Sequence, residues 1–541
     1  MNEFYGENCS DGTAVGTVYL MVQSDPSVAD LDTAPLADAH TFESLKNVAK
    51  KQLDDIYQKT LSSLGEEKAG IIDVQRIMLE DPSITSAVEA KLNDNLALSD
   101  AVEMAFEEVA STFDLMEDEY FSARAADVRD LKVRLNNILS GKAEDTSDMP
   151  DSAIIVAEDI TPSQTLSMDK SKIAGFVLSG GNQTSHTAIL ARSLGIPALI
   201  KVANTDQIES GATAIIDTST LKLTTSPNGA ALEDAMQKIQ TQVAAKNSLN
   251  ALKGVDSKTT TGKSVKLYAN IGSLEDAQKA VENDAEGIGL FRTEFLYLGK
   301  DDAPSEDEQF EIYRDVAKVV SQTKNAELVI RTCDIGADKK VDYLNLPDEE
   351  NPALGYRATR FMLDREELFL TQLRAIYRAA KEAVNFETHI AIMFPMIASR
   401  WEVEKCRELC QKAATEVGAP FDIAEIGIMI ETPAAAVIAD DLAKVSDFFS
   451  VGTNDLTQYT LAVDRQSTPE LEKYSDPHHP AILRLLENIA KAANEAGIWA
   501  GICGELGGDE ALTKFFLDTG FKELSMSSNK ILKIRKNIVE M

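Results

Sequence analysis

The sequence predicts an α/β multidomain protein: a C-terminal (β/α)8 TIM barrel, and a smaller N-terminal α/β domain with an inserted helical bundle. Three features of the 541 residues predict it. Eight compact apolar runs recur after residue 257, separated by helical stretches, which is the size and count of a (β/α)8 barrel. A block from 41 to 140 has helix period, with almost no Gly or Pro and many Ala, Leu, Glu and Lys. Short runs of strand length flank that block on both sides.

A stretch containing Gly6, Gly12 and Gly16 leads into the apolar run 17–22, which reads as a strand. Breaks at Leu64-Gly65, Asp81-Pro82 and Leu98-Ser99-Asp100 divide the helical block into roughly four helices. After Met149-Pro150 come β runs at 153–157, 175–178, 198–200 and 214–216, with a helix starting at Ser185 or His186. These strands and the N-terminal one are expected to share one domain, and 229–253 reads as an exposed linking helix. The barrel runs are 265–271, 287–291, 328–330, 390–394, 426–430, 448–451, 498–502 and 524–526. The domains expected are 1–28 with 145–226, 29–144, 227–256 and 257–541.

Composition limits the functions available. A net charge of -35 repels phosphates at long range, which argues against nucleic acid and anionic membranes as partners. An anionic substrate therefore needs a local basic island. No apolar run approaches the roughly 20 residues of a membrane span. The start, Met1 to Glu7, lacks the basic-then-apolar order of a secretory signal, so the cytoplasm is the expected address. Cys9, Cys333, Cys406, Cys410 and Cys503 are too scattered for a disulfide framework, and the turn spacing of Cys406 and Cys410 lacks the second pair a zinc site needs.

Barrel chemistry sits where strands end, and polar residues close these runs. Arg292 closes the second and Arg331 the third; Glu431 follows the fifth, Asn454 and Asp455 the sixth, and Cys503 the seventh. Arginines offer forked, permanently charged donors to phosphate and carboxylate oxygens. Lys339 and Arg465 add positive charge. Two carboxylates plus substrate oxygens suit Mg²⁺ better than Zn²⁺ or Cu²⁺. Together these residues read as a magnesium-assisted phosphoryl site for a small, multiply charged anion. The competing view makes Arg292–Glu294 and Arg331–Asp334 structural ion pairs at the barrel end.

A second constellation is Gly180-Gly181-Asn182-Gln183-Thr184-Ser185-His186-Thr187-Ala188. A Gly-rich turn opening a helix presents backbone N–H groups to an anion, and a histidine at the helix start offers a ring nitrogen to phosphorus. Taken alone, such a histidine is more often a cap. His40, His389 and the pair His478-His479 read as structural or solvated.

Over nearly its whole length the chain resembles enzyme I of the bacterial phosphoenolpyruvate (PEP):sugar phosphotransferase system. Seven stretches carry the resemblance in the right order: Gly289 to Tyr297, Arg331 to Gly336, Phe394-Pro395-Met396, Glu431 to Ala435, Gly452 to Tyr459, Ala462 to Arg465, and Gly501 to Glu505. The resemblance implies that His186 is the phosphorylated histidine of a swivelling α/β domain. Arg292, Arg331, Asn454 and Arg465 would hold PEP, Glu431 and Asp455 would hold Mg²⁺, and Cys503 would protonate the pyruvate enolate. It also implies a helical subdomain (around Glu66-Glu67-Lys68 and Arg124 to Asp130) that docks the carrier protein HPr, and a homodimer formed through the barrel.

Three departures stand out. The family reads Gly-Gly-Arg-Thr-Ser-His where this chain has Gly181-Asn182-Gln183-Thr184-Ser185-His186, so the arginine beside the nucleophile is missing. Ser10-Asp11-Gly12 replaces a Ser-Pro-Gly turn, and Pro82-Ser83 stands where acids are usual. The chain stops about 15 residues after the eighth run, where relatives continue further, so either a short last barrel helix or a trimmed C-terminus is expected. Pyruvate–phosphate dikinases and PEP synthases share a similar barrel but need a nucleotide-binding domain that no stretch here supplies. A non-catalytic PEP-sensing or docking paralogue, suggested by Gln183, is the alternative of a different class.

Overall fold

The computed structural model describes residues 1–21, 41–64, 66–114, 119–140, 149–161, 164, 168–181, 185–300, 302–336, 341–464 and 469–541. The chain divides into two compact units, Met1–Ala245 and Lys246–Met541.

The first unit is built on a mixed sheet. Its strands are β1 (Asn2–Tyr5), β2 (Glu7–Ser10), β3 (Thr13–Leu20), β4 (Ala153–Ala157), β5 (Ile173–Leu178), β6 (Ala198–Ile200), β7 (Thr213–Asp217) and β8 (Lys222–Thr225). Among the described residues the order is β1-β8-β7-β3-β4-β5-β6-β2. Strands β3 and β4 pair in parallel, Thr17 opposite Ala153, although the helical block separates them in sequence. Side-chain alternation along β4 supplies both faces: Ala153, Ile155 and Ala157 join one apolar cluster, and Ile154 and Val156 the other.

The helical block contains α1 (Phe42–Leu64), α2 (Glu66–Leu79), α3 (Pro82–Asn93), α4 (Leu98–Asp114) and α5 (Glu119–Leu139). Roughly four helices were expected from the sequence. Five helices are described, α4 ending at Asp114 and α5 starting at Glu119, and no Gly or Pro stands between those residues to mark the division in the sequence. The strands β1, β2 and β8 were also not anticipated. They are four residues each and too mixed in composition to stand out. Buried residues from α1 to α5, among them Leu45, Leu53, Ile72, Val88, Phe106, Val128 and Leu135, form a core of their own.

The second unit is a closed barrel of eight parallel strands. They are β9 (Lys266–Ile271), β10 (Ile288–Arg292), β11 (Glu327–Arg331), β12 (His389–Phe394), β13 (Glu425–Ile430), β14 (Phe448–Val451), β15 (Trp499–Ile502) and β16 (Glu523–Met526). Each coincides with an apolar run read from the sequence to within about two residues. Alternation again sets direction. Leu328, Ile330, Ile390, Ile392, Phe394, Ile426, Ile428 and Ile430 pack into the large cluster shared with the surrounding helices. Leu290, Val329, Ala391, Met393, Met429, Phe448 and Cys503 form the smaller interior cluster. Stepping two residues along a strand keeps a side chain on one face, so Arg331 follows Val329 and Glu431 follows Met429 into the interior. Among the described residues no helix is long and apolar enough to cross a membrane.

Candidate active site

The strand ends converge as the alternation requires. Arg292 and Arg331 are register partners across β10 and β11. Arg331 is buried and donates to Glu294 Oε1 at 2.7 Å, to Asp334 Oδ2 at 2.9 Å and, weakly, to Met429 Sδ at 3.8 Å. Burial alone would lower its pKa; Glu294, Asp334 and Glu431 override that and raise it, so the guanidinium stays charged. The ion-pair reading of Arg331 with Asp334 is thus correct as geometry. Arg331 Nε is nonetheless buried with no hydrogen-bond acceptor, so pairing does not exhaust its donors. Arg292 is half-buried and, among the described residues, has no ion-pair partner.

Glu431 follows β13 and is almost fully buried. Its Oε1 accepts from Met396 N–H at 2.7 Å, while Oε2 is buried without a partner. Its pKa is pushed up to about 8, first by burial, then by the Asp455 and Asp334 carboxylates, against the pull of Arg331 and Arg357. Asp455 lies in the first turn of the helix Thr453–Leu461, directly after β14. The backbone turns tightly here: a Cβ on Gly452 would stand 2.7 Å from Glu431 Oε2, so glycine lets the two acids approach. Asn454 Oδ1 accepts from Glu505 N–H at 3.1 Å, tying the β14 loop to the β15 loop. Gly504 allows that closeness, since a Cβ there would lie 1.9 Å from Thr453 Oγ1.

Cys503 follows β15 and is buried, with Sγ 3.4 Å from the Val451 carbonyl. Burial, aided by Glu523 and Glu431, pushes its pKa up to about 12, so the group is a thiol at neutral pH. Its carbonyl accepts from Asn270 Nδ2 at 2.9 Å, and Asn270 Oδ1 accepts from Ser525 Oγ at 2.6 Å.

The strand-end reading missed Arg357. It is buried in the loop after β11, donates to Asp334 Oδ1 at 3.0 Å and to Tyr459 Oη at 3.3 Å, and lies 4.0 Å from Asp455 Oδ1. The Asp334 and Asp455 carboxylates outweigh its burial and raise its pKa. Because Arg357 ends no strand and Arg360 follows three residues later, no apolar run closing on a charge singles it out in the sequence.

The sequence-derived set is therefore only partly gathered. Arg292, Arg331, Glu431, Asn454, Asp455 and Cys503 share the C-terminal rim of the barrel. Arg465, Lys339 and the stretch Asn182-Gln183-Thr184 lie outside the described residues. His186 belongs to the first unit. It is the first residue of α6 (His186–Leu194), and the Ser185 side chain caps that helix through Ala188 N–H; the His186 side chain also lies outside what is described.

The donor set fits magnesium. Among the described residues no three His, Cys, Asp or Glu side chains cluster as metal ligands, but an unpartnered buried oxygen on Glu431 stands beside Asp455. Two carboxylates with the remainder from substrate and water is how Mg²⁺ is usually held.

Residues 246–541 match the PEP-binding domain of PEP-utilising enzymes, residues 149–221 their mobile domain and residues 5–124 their N-terminal domain. The chain is 39% identical over 545 residues to the phosphoenolpyruvate-protein phosphotransferase of Staphylococcus carnosus (strain TM300), covering 98% of this chain and 93% of that one. It is 38% identical over 552 residues to the protein of the same name from Bacillus subtilis (strain 168), covering 100% and 95%. A chain that carries this barrel, this rim and these matches from end to end belongs to the enzyme I family of PEP-utilising phosphotransferases.

Proposed function

We propose that the protein takes the phosphoryl group of PEP onto His186 and passes it to the histidine of the carrier HPr, the first step of sugar uptake by the phosphotransferase system. The observation that carries this reading is the pairing of permanently charged arginines with two close carboxylates, one bearing an unpartnered buried oxygen, at the barrel rim. Bound Mg²⁺ would be held by Glu431 and Asp455 and would supply positive charge to phosphoryl and enolate oxygens.

The chain's own groups do the rest. Arg292, Arg331 and Arg357, with Asn454 and Arg465, orient the anion and neutralise charge on the phosphoryl oxygens as the bond to the enolate oxygen breaks. A His186 ring nitrogen attacks phosphorus from the opposite side, forming the N–P bond. The Cys503 thiol then gives its proton to the enolate C3, leaving pyruvate and a thiolate that solvent reprotonates. His186 and the barrel rim belong to different units, so the reaction calls for the first unit to move between the barrel and HPr, with the helix Gly229–Asn250 or its ends as the hinge. The acidic surface suits a basic carrier. A homodimer through the barrel is part of the same reading, as is a cytoplasmic location.

Mass spectrometry of the PEP-treated protein tests this. A phosphoryl mass on the peptide containing His186, present with Mg²⁺ and lost on chelation, is expected. A PEP sensor would bind PEP yet form no pyruvate with excess HPr, and that result would remove the enzymatic reading.

A further inference from the structure

The opposite end of the barrel holds a cavity of about 620 Å³, lined by the first residues of β9, β11, β15 and β16 (Lys266, Glu327, Trp499 and Glu523) together with Lys258 and Lys522. It lies at the N-terminal strand ends, away from the rim where barrel enzymes place their chemistry.

Its acidic groups are unequally satisfied. Glu327 bonds Lys266 at 2.6 Å and also accepts from Tyr268 Oη. Asp256 bonds Lys324 at 2.6 Å. Glu286 accepts from Ser257 Oγ at 2.9 Å and from Leu267 N–H at 3.1 Å. Glu523 is the exception. It is 1% exposed, and both of its carboxyl oxygens are buried without a partner. A buried, unpaired carboxyl costs several kcal/mol where a leucine would pack at no such cost. The barrel also makes room for it: a Cβ on Gly289 would lie 1.9 Å from Glu523 Oε1, and one on Gly501 2.5 Å from Oε2. Strand β10, and β15 beside β16, thus carry glycine where a side chain would collide with this one unsatisfied acid. Lys258 and Lys522 line the same cavity, are exposed, and among the described residues have no ion-pair partner.

We propose that this cavity is a second small-molecule site, taking an ω-amino acid whose ammonium group pairs with Glu523 and whose carboxylate meets Lys258 and Lys522. A simple alkylammonium ion would pair with Glu523 but leave Lys258 and Lys522 to solvent, and a simple carboxylate would leave Glu523 unpaired, so a molecule carrying both charges engages all three groups. Glu523 is largely protonated near neutral pH, because burial and the neighbouring Glu327 carboxylate push its pKa up to about 8. Pairing with an ammonium ion ionises it, so binding releases a proton.

Calorimetry on the full-length protein, with 6-aminohexanoate, n-hexylammonium and hexanoate as probes, tests the proposal. The zwitterion should bind at least about tenfold more tightly than either single-charge analogue. Its heat should differ between two buffers of unlike ionisation enthalpy by an amount equal to release of about one proton. Glu523→Gln should lose this binding while keeping its circular dichroism. Replacing Lys258 and Lys522 together by alanine should weaken the zwitterion and leave n-hexylammonium unchanged. Equal binding of all three probes, no heat from any at millimolar concentration, or undiminished binding by a folded Glu523→Gln variant would each overturn it.

Discussion

Arg331 and Arg357 are tied together through one carboxylate: Arg331 Nη1 donates to Asp334 Oδ2 at 2.9 Å and Arg357 Nη2 to Asp334 Oδ1 at 3.0 Å. A single buried acid thus fixes two guanidiniums that hydrophobic surroundings would otherwise expel. Both keep an Nε without an acceptor, so the pair is pre-organised for a multiply charged anion before it arrives.

Arg357→Ala removes one grip on Asp334 and one positive charge from the rim. We expect kcat/KM for PEP to fall on the order of 100-fold or more, as for loss of one preorganised donor. Arg357→Lys keeps the charge but not the fork and should recover only part of that loss. Steady-state pyruvate formation measures both, and an unchanged rate for Arg357→Ala would contradict the placement.

Chelation of divalent cations should stop PEP consumption, and added Mg²⁺ should restore it. Glu431→Gln removes the carboxylate whose Oε2 lacks a partner, and should weaken the Mg²⁺ requirement curve by more than about 100-fold. Full activity of Glu431→Gln at the same Mg²⁺ concentration would exclude it as a ligand.

The Cys503 thiol has a pKa raised to about 12, so as an acid it stays loaded as pH rises; an ordinary thiol would be spent by about pH 8.5. The rate of pyruvate formation should therefore show no alkaline loss assignable to Cys503 below pH 9. An alkaline limb near 8.5 that vanishes in Cys503→Ser would contradict this.

Asn270 holds the Cys503 carbonyl and in turn accepts from Ser525. In Asn270→Ala the thiol is less well aimed. Pyruvate formed in tritiated water from PEP carrying deuterium stereospecifically at C3 should then lose the chirality of its methyl group, while phosphorylation of the enzyme by PEP falls less than about tenfold. Uniform labelling would deny Asn270 this positioning role.

Stability should carry the mark of Glu523. Its carboxyl stays protonated in the folded barrel up to about pH 8 but ionises near 4.5 in the unfolded chain. The unfolded state sheds the proton first, so stability is whole below pH 4.5 and declines as pH rises from there to 8, with a limiting slope on the order of 1.4 kcal/mol per pH unit. Glu523→Gln should flatten that decline in denaturant titrations. An unaltered pH dependence would mean the carboxyl is already ionised in the native state.

Much of this was legible because barrel strands announce themselves twice, by apolar runs and by the charge that ends them. Arg331 and Glu431 were found that way, since a strand end fixes both where a residue sits and which face it takes. Arg357 was not, because a loop residue is placed by tertiary contacts to Asp334 and Tyr459 that no local pattern encodes. Glu523 opens its strand and reads in sequence as an ordinary edge charge; only closure of the barrel buries it.

The central claim is tested most directly with PEP labelled on phosphorus, incubated with Mg²⁺ and either the native protein or His186→Ala. The account predicts acid-labile label on the native protein and none on the variant. Label acquired equally by His186→Ala would contradict it.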